Sequence, residues 1–473
     1  MGFCEYVGKE VGSFTGAEEP EYKLDPEPRE HPVLQRPGLG SGERAFQTSR
    51  NRGFTPTTRH VYREGAMEVL YPRCAGLDVH KDTVVACVRI AEGGKVRREV
   101  REFGTCTRAL YELVEWLTAQ GCTHAVLEST GVYWKPVWHV LEGQLALVLA
   151  NATEVRNVPG RKSDTNDATW LADLLAHGLI RSSFVPPEPI AELRDLTRTR
   201  KQLTRERARH TQRIQKILED ANLKLASVVT DILGMSGRAV LEAVIAGETD
   251  PVALAALTSP RLKASREDIT EALYGRVTEH HRFMLRLHLN QVDGLDRAIA
   301  ALEARTEELL EPFRRTVEHL VTMPGVGPTV AAVLVAEIGT DMTRFPTAGH
   351  LVSWAGLCPR LDESAGKARS RRTRHGYWLK TTLVQAAWAA VRKKDNYLHA
   401  QFLRIKRRRG AKKAILAVAA SMLTAAYHMI RNDADYSDLG GDYFDRYDRD
   451  KTALRLVRRL RELGLSVQIS QAA

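Results

Sequence analysis

The stretch Cys74–Ile90, CAGLDVHKDTVVACVRI, decides the fold of the amino-terminal half of this chain. Within it, Ala75–Val79 is a short apolar strand that carries Asp78, and Thr83–Ile90 is a second, valine-rich strand. A pair of glycines then turns the chain into Lys95–Phe103, where apolar and polar residues alternate as they do in a strand. Three successive strands therefore open an α/β pattern.

Helices and strands alternate after this opening. We expect a helix to about Ala119, a strand Ala125–Leu127 ending at Glu128, a helix Tyr133–Leu141, a strand Leu145–Leu149 and a helix from Asp164 to Ala176. Three strands, helix, strand, helix, strand, helix is the order of an RNase H-like fold. The predicted class is α/β plus all-α, because the rest of the chain reads as mainly helical.

The chain divides into five parts on composition and pattern. Residues 1–66 lack an apolar period and are expected to be disordered. The other parts are an RNase H-like domain (67–185), a helical or coiled-coil domain (186–315), a mainly helical domain (316–435) and a charged tail (436–473). Leucine, valine and isoleucine repeat every seven residues in 282–310. That repeat fits a coiled coil, either as an antiparallel hairpin within one chain or as a dimer stalk.

The charge of the chain indicates a nucleic-acid partner. The formal net charge is +11, and residues 316–431 hold 19 Lys and Arg against 6 Asp and Glu. Clustered cations are expected on a surface that binds phosphates, although a solvated basic surface has the same composition. No run of about 18 apolar residues and no signal peptide is evident, so we expect no membrane association. Six scattered cysteines without a C-x-x-C pair argue against structural zinc and suit a reducing, cytoplasmic compartment.

Four carboxylates form the first candidate site. Asp78 and Glu128 end two predicted strands, while Asp164 and Asp167 stand three residues apart where a helix is expected to open. An i, i+3 pair shares one helical face, and converging carboxylates favour hard divalent cations such as Mg²⁺ or Mn²⁺. Read singly, Asp164 could be a helix N-cap and Glu128 could pair with Lys135.

A glycine-rich turn forms the second candidate site. Gly325 and Gly327 lie in Pro-Gly-Val-Gly, which precedes an apolar helix and resembles a helix-hairpin-helix. Such a turn lets the backbone approach a nucleic-acid phosphate. The alternative is an ordinary glycine turn between two helices.

A serine beside a run of cations forms the third candidate site. Ser364 lies in a stretch of small residues that we expect to be flexible, and cations that can hold a scissile phosphate follow it: Lys367, Arg369, Arg371, Arg372 and Arg374. The alternative is a basic loop with an incidental serine, and Ser353 and Ser370 are local competitors. Two further basic segments are expected to bind nucleic acid: a basic helix, with nine Lys or Arg residues between Arg194 and Lys216, and a run that contains Arg407, Arg408 and Arg409.

Taken together, these motifs resemble the DEDD-type insertion-sequence transposases of the IS110 family, closest to its IS-eleven-eleven-like branch. The resemblance covers about Cys74 to Arg431, and GLCPR followed by ESAGK is its most specific part. Some members have glycine directly after the serine, whereas here Ala365 precedes Gly366, as in that branch.

The resemblance implies a RuvC-like domain, a coiled-coil domain and a transposase domain. It places the family's metal-binding carboxylates on Asp78, Glu128, Asp164 and Asp167, and its catalytic serine on Ser364. It further implies DNA as substrate, a structured guide RNA, and a homo-oligomer, a dimer that assembles to a tetramer on DNA at the bacterial nucleoid.

The predicted function is metal-dependent DNA strand exchange through a serine nucleophile. Two alternatives remain at this point. A RuvC-like nuclease would use water as the nucleophile and leave Ser364 a bystander, and an inactive remnant would bind nucleic acid without cutting it.

Overall fold

The computed structural model describes residues 68–129, 131–152, 155, 158, 166–364, 367–373, 378–447 and 449–468. The chain falls into two compact units. We call their described parts the sheet unit, residues 68–185, and the helical unit, residues 186–468. The segment 1–66, which the sequence predicts to be disordered, lies outside the described residues.

The sheet unit is a mixed five-stranded sheet with helices. Its elements are β1 Arg73–Val79, β2 Thr83–Glu92, β3 Lys95–Gly104, α1 Thr107–Ala119, β4 His124–Glu128, α2 Trp134–Leu141, β5 Ala146–Ala150 and α3 Asp167–Ala176. The strand order is β3-β2-β1-β4-β5. β2 is antiparallel to β1 and β3, whereas β1, β4 and β5 are parallel to one another. The predicted mixed α/β class is therefore confirmed.

Both faces of the central strands are buried. Ala75 and Leu77 belong to the core that α1 and α2 cover, while Cys74 and Val126 pack with residues of α3 on the other face. Successive side chains of a strand point to opposite faces, so even-numbered residues of β1 and β4 face α3. Side chains at even-numbered positions near the ends of β1 and β4 therefore point toward α3.

One prediction about this unit is wrong. The sequence predicts a helix from Asp164, but α3 begins at Asp167, and the side chain of Asn166 caps it by accepting a hydrogen bond of 2.8 Å from the backbone amide of Ala168. The N-cap residue of α3 is therefore Asn166. Asp164, the other candidate N-cap, lies outside the described residues. The expected i, i+3 pair includes Asp164 and therefore stays a prediction.

The helical unit begins with long and short helices. Their bounds are α4 Glu188–Asp220, α5 Leu225–Val228, α6 Met235–Ala246, α7 Pro251–Ala256, α8 Arg266–Ala272 and α9 Glu279–Leu310. Ion pairs join Arg200 to Glu303 and Arg207 to Asp296. Since the residue number rises along α4 as it falls along α9, the two helices run antiparallel. The antiparallel hairpin within one chain, the first of the two coiled-coil alternatives, is therefore what the structure shows. The dimer stalk stays a prediction.

The remainder of the unit is a helical core with one small sheet. Its elements are α10 Arg314–Val321, α11 Pro328–Ile338, α12 Ala348–Trp354, β6 Pro359–Ser364, β7 Lys367–Thr373, α13 Trp378–Ala390, α14 Tyr397–Arg409, α15 Ala411–Asn432, α16 Tyr443–Tyr447 and α17 Arg449–Glu462. Three-residue 3₁₀ turns precede α10 and α12. The buried residues of α11, α13 and α15 share one core.

Helix α15 corrects the expectation that the chain has no stretch apolar enough to cross a membrane. Among the described residues, it alone is long and apolar enough to do so by length and composition. Half of it is buried, and the hydroxyl of its Tyr427 donates a hydrogen bond of 2.9 Å to the carbonyl of Phe345. These contacts make it a core helix of this unit.

Candidate active site

Two of the predicted carboxylates lie side by side at one edge of the sheet. β1 and β4 are parallel, and their register pairs Gly76 with Val126 and Leu77 with Leu127. Asp78 and Glu128 are the next residues on each strand, so they occupy neighbouring positions at the carboxyl ends of the two strands. Both are even-numbered positions on the face that α3 covers.

Gly76 brings the start of α3 to that edge. A methyl group added there would overlap the carbonyl oxygen of Ala168 and lie 2.5 Å from the amide nitrogen of Ala172. Only a residue without a side chain lets the helix backbone pass so close to β1. Asp167 precedes Ala168, so the helix start that carries it lies beside the strand that carries Asp78.

A partly buried ion pair helps to fix α3 over the sheet. The guanidinium Nε of Arg89, a buried residue of β2, donates to Oδ1 of Asp173 at 2.9 Å, and Arg98 of β3 donates to the same oxygen at 2.8 Å. Asp173 is thereby held by two strands, which restricts sliding of the helix. Sequence reasoning did not single out these three residues, because their charges are unremarkable along the chain.

Asp78 is partly exposed and contacts a histidine. Its side chain is 20% exposed, and Oδ2 lies 3.2 Å from Nε2 of His80. Among the described residues, no three acidic, histidine or cysteine side chains form a group that could hold a metal. Asp78 and Glu128 lie on neighbouring strands beside the helix start that carries Asp167, but these three do not form such a group, and Asp164 lies outside the described residues.

Ser364 lies at the end of a strand in a β-hairpin, and the expected flexibility of this stretch stays a prediction. It is the last residue of β6 and stands opposite Lys367, the first residue of β7, while Asp362 stands opposite Arg369. Lys367, Arg369, Arg371 and Arg372 all belong to β7. Arg374, like Ala365 and Gly366, lies outside the described residues. The hairpin brings the serine and the first predicted phosphate-binding cation to opposite register positions.

The two glycines of the helix-hairpin-helix motif have different surroundings. Gly325 has φ +81°, and an added methyl would overlap the carbonyl oxygen of Ala386 and lie 2.7 Å from the amide nitrogen of Ala390. Its glycine requirement is therefore explained by contact with α13 of the same chain. Gly327 precedes α11 as its N-cap, and an added methyl there would meet no atom within 4 Å. Only Gly327 has open space beside it.

Helix α4 is anchored to the core of the helical unit by a buried carboxylate. Glu337 of α11 is 3% exposed, and Arg198 binds its two oxygens with two hydrogen bonds of 2.8 Å. Arg194 donates to the backbone carbonyls of Ala336 and Glu337 at 3.1 and 2.8 Å. A buried charge needs such a partner, so these two cations of the basic helix serve its packing rather than phosphate binding.

Other predicted cations remain exposed. Arg407, Arg408 and Arg409 end α14 in an exposed run. Sequence reasoning missed Trp378, which begins α13 four residues after Arg374; the three cations of α4 that surround it belong to the basic helix that the sequence predicts to bind nucleic acid. A tryptophan within a basic segment was the available signal.

Comparisons with known proteins agree with this picture. Residues 75–223 match a family model described as a DEDD-type transposase of IS110, and residues 317–403 match one described as the transposase IS116/IS110/IS902 family. The first match spans the carboxylates and the second spans Ser364.

Three relatives come from insertion elements of bacteria. The chain is 31% identical to the insertion element IS110 uncharacterized 43.6 kDa protein of Streptomyces coelicolor, over 59% of this chain and 73% of the relative. It is 27% identical to the IS116 uncharacterized 44.8 kDa protein of Streptomyces clavuligerus, over 61% and 79%. It is 26% identical to the IS900 uncharacterized 42 kDa protein of Mycobacterium paratuberculosis, over 62% and 80%.

The chain thus carries two sequence blocks of one class of enzyme, the DNA transposases. Within that class the chain belongs to the IS110 family. The predicted resemblance and the predicted enzyme class are confirmed.

Proposed function

We propose that this transposase exchanges DNA strands through a covalent serine intermediate, with carboxylates of the sheet unit holding a divalent cation. The observation that carries the proposal is the register of β1 and β4, which makes Asp78 and Glu128 neighbours at one sheet edge beside the start of α3. We further propose that the sheet is RNase H-like, since a three-stranded antiparallel part continued by parallel β4 and β5 is the arrangement expected of that fold.

The donor set suits Mg²⁺ or Mn²⁺. Carboxylate oxygens are the ligands that these hard cations prefer. Asp78, Glu128, Asp164 and Asp167 would hold the ion, and the bound ion would offset the negative charge that develops on the phosphodiester. The carboxylates would contact DNA only by way of the bound ion, because negatively charged groups repel the phosphates of DNA.

The chemical step assigned to the helical unit is attack by Ser364. Its Oγ forms a bond to phosphorus as the bond from phosphorus to a deoxyribose oxygen breaks. The serine proton leaves, and the departing oxygen gains one. Attack by the hydroxyl of a second strand reverses these changes, frees Ser364 and joins the new strand. Lys367, opposite Ser364, and the arginines of β7 stabilise the extra charge on the phosphate.

The partners that we propose are DNA, a structured guide RNA and further copies of this chain. The basic run at Arg407–Arg409 supplies phosphate contacts that do not depend on base sequence. Base pairing by the RNA would then select the DNA sequence.

One experiment tests the central claim. Cleavage of a DNA duplex carrying the element end is stopped with denaturant, and the protein is digested and searched by mass spectrometry for a nucleotide on Ser364. An adduct on Ser364 is the expected result. Cleaved DNA with free ends and no adduct on any serine would favour the nuclease alternative, in which water attacks.

A further inference from the structure

Trp378 stands at the centre of a cluster of cations from α4. The guanidinium carbons of Arg198 and Arg205 both lie 5.7 Å from the centre of its ring, and Nζ of Lys201 lies 5.6 Å from it. Positions 198, 201 and 205 share one face of α4 because they are three and four residues apart. Three like charges therefore surround one aromatic side chain.

The positive charge of this cluster is incompletely balanced. Glu337 neutralises Arg198. Within the described part of the chain, no carboxylate forms an ion pair with Lys201 or Arg205. Nζ of Lys201 instead donates to the hydroxyls of Thr381 and Thr382, at 2.5 and 3.2 Å. Cations held together without a counter-charge make a favourable place for an anion.

The protonated form of Lys201 is also disfavoured. Burial lowers its pKa, and the neighbouring Arg205 lowers the pKa further, although Glu337 acts in the opposite direction. A bound phosphate would relieve both penalties, since it supplies the missing negative charge. The tryptophan ring accommodates guanidinium and ammonium groups over its π-system, and it keeps them in place in the absence of an anion.

The cluster lies at the base of the hairpin that carries Ser364. Nζ of Lys380, in the same turn of α13 as Trp378, donates to the hydroxyl of Thr373 at 2.6 Å. Thr373 ends β7 and stands opposite Pro359, the first residue of β6, whereas Ser364 ends β6. Five residue steps at about 3.4 Å each place the serine roughly 17 Å from the base of the hairpin.

We propose that Lys201, Arg205 and Trp378 bind a backbone phosphate of the DNA strand that Ser364 attacks, at a position several nucleotides from the scissile phosphate. The proposal rests on the proposed function in taking that strand as the substrate. A phosphate held at the hairpin base fixes the path of the strand toward the serine. The site contacts backbone only, so it acts on any sequence.

The test removes the two unpaired cations without disturbing the anchor at Glu337. Lys201→Gln/Arg205→Gln is compared with Arg209→Gln/Lys216→Gln, which removes the same charge from exposed positions of the same helix. All variants carry Ser364→Ala, and binding of a labelled DNA duplex of mixed sequence is measured in chelator over a series of salt concentrations. Cleavage therefore plays no part in the readout, and failure here is separate from failure of the serine mechanism.

The first variant is expected to weaken DNA binding about 10- to 100-fold, the loss of a charge-assisted contact. The slope of log K against log salt should become shallower by about 1, since each neutralised phosphate contributes about 0.9. Lys201→Arg should retain the slope, and Trp378→Leu should weaken binding with the slope nearly unchanged. Thermal melting checks that each variant is folded.

A purely structural role for the cluster would lower the melting temperature and leave the slope unchanged, which would overturn the proposal. Equal losses for the test and control pairs would also overturn it, because they would indicate only the general charge of α4. The same titrations with an RNA duplex complete the test. A loss on DNA at least as large as the loss on RNA is expected, and a loss confined to RNA would contradict a DNA site.

Discussion

The two candidate catalytic regions differ in how much structure holds each reactive group. Asp78 and Glu128 end strands that have a hydrogen-bonded neighbour on both sides, within a five-stranded sheet. Ser364 ends a strand with one partner, and β6 and β7 form a sheet of only two strands. A two-stranded hairpin is marginally stable without further contacts. The acids are thus positioned by the fold, whereas the serine depends on a hairpin and on what its base contacts.

This difference predicts which substitutions act on chemistry alone. Ser364→Ala should have the largest effect, a loss of cleavage by about 10³-fold or more, because a methyl group cannot attack phosphorus. Nucleic-acid binding should persist, since the cations of β7 are unchanged. Cleavage assays and gel-shift assays on the same duplex measure the two effects.

Ser353→Ala and Ser370→Ala are the matched controls and should cleave normally. An adduct on Ser370 would preserve the mechanism and move the nucleophile to the opposite strand of the hairpin. Undiminished cleavage by Ser364→Ala, with no adduct anywhere, would sink the serine mechanism.

Substitution of any one of the carboxylates should abolish cleavage without lowering the stability of the protein. We expect Asp78→Ala, Glu128→Ala, Asp164→Ala and Asp167→Ala each to abolish cleavage, as chelation by EDTA would. The melting temperature should hold or rise slightly, because removing one acid lessens repulsion among like charges. Full cleavage in Mg²⁺ by Asp78→Ala would remove the metal site from the mechanism.

Much of the sheet unit could be predicted because its pattern is local. The continuous apolar runs of β1 and β4, which are buried on both faces, appear directly in the sequence, and Asp78 and Glu128 interrupt them near the strand ends. The start of α3 was misplaced because Asp164 and Asn166 are both common N-cap residues, and the sequence does not say which of them caps the helix. Tertiary packing against Gly76 fixes that choice.

The hairpin of Ser364 could not be predicted for a different reason. β7 reads Lys-Ala-Arg-Ser-Arg-Arg-Thr, and such charged residues have low strand propensity and no apolar alternation. Pairing with β6 and the contact of Thr373 with Lys380 depend on distant parts of the chain. Gly325 is similar, since the sequence shows a phosphate-binding motif where the structure also shows a packing contact with α13.

A weaker effect is expected at the basic end of α14, away from both candidate catalytic groups. Replacing Arg407, Arg408 and Arg409 by glutamate should lower affinity for DNA and RNA at least about tenfold and flatten the salt dependence. Cleavage at saturating protein should be nearly normal, because neither the carboxylates nor Ser364 is changed. No change in the salt slope would identify this run as a solvated surface.

The smallest expected effect on chemistry comes from the two glycines that pack against helices, one in each unit. Gly76→Ala forces a methyl group into the backbone of α3, and Gly325→Ala forces one into the backbone of α13 while also straining a φ of +81°. Overpacking of this kind costs ~1–3 kcal/mol, and the positive φ adds ~1 kcal/mol. Calorimetry should therefore show a melting transition lowered by several degrees in each variant. Well below that transition Gly325→Ala should largely retain cleavage, whereas Gly76→Ala should lower it modestly, because α3 carries Asp167. Gly327→Ala is the control, because its φ is −96° and an added methyl meets no atom within 4 Å. It should melt like the unaltered protein, and if Gly327 contacts a phosphate its effect should appear in DNA affinity instead. If Gly76→Ala melted normally, α3 would not lie against β1 as described, and the placement of Asp167 beside Asp78 would fail with it.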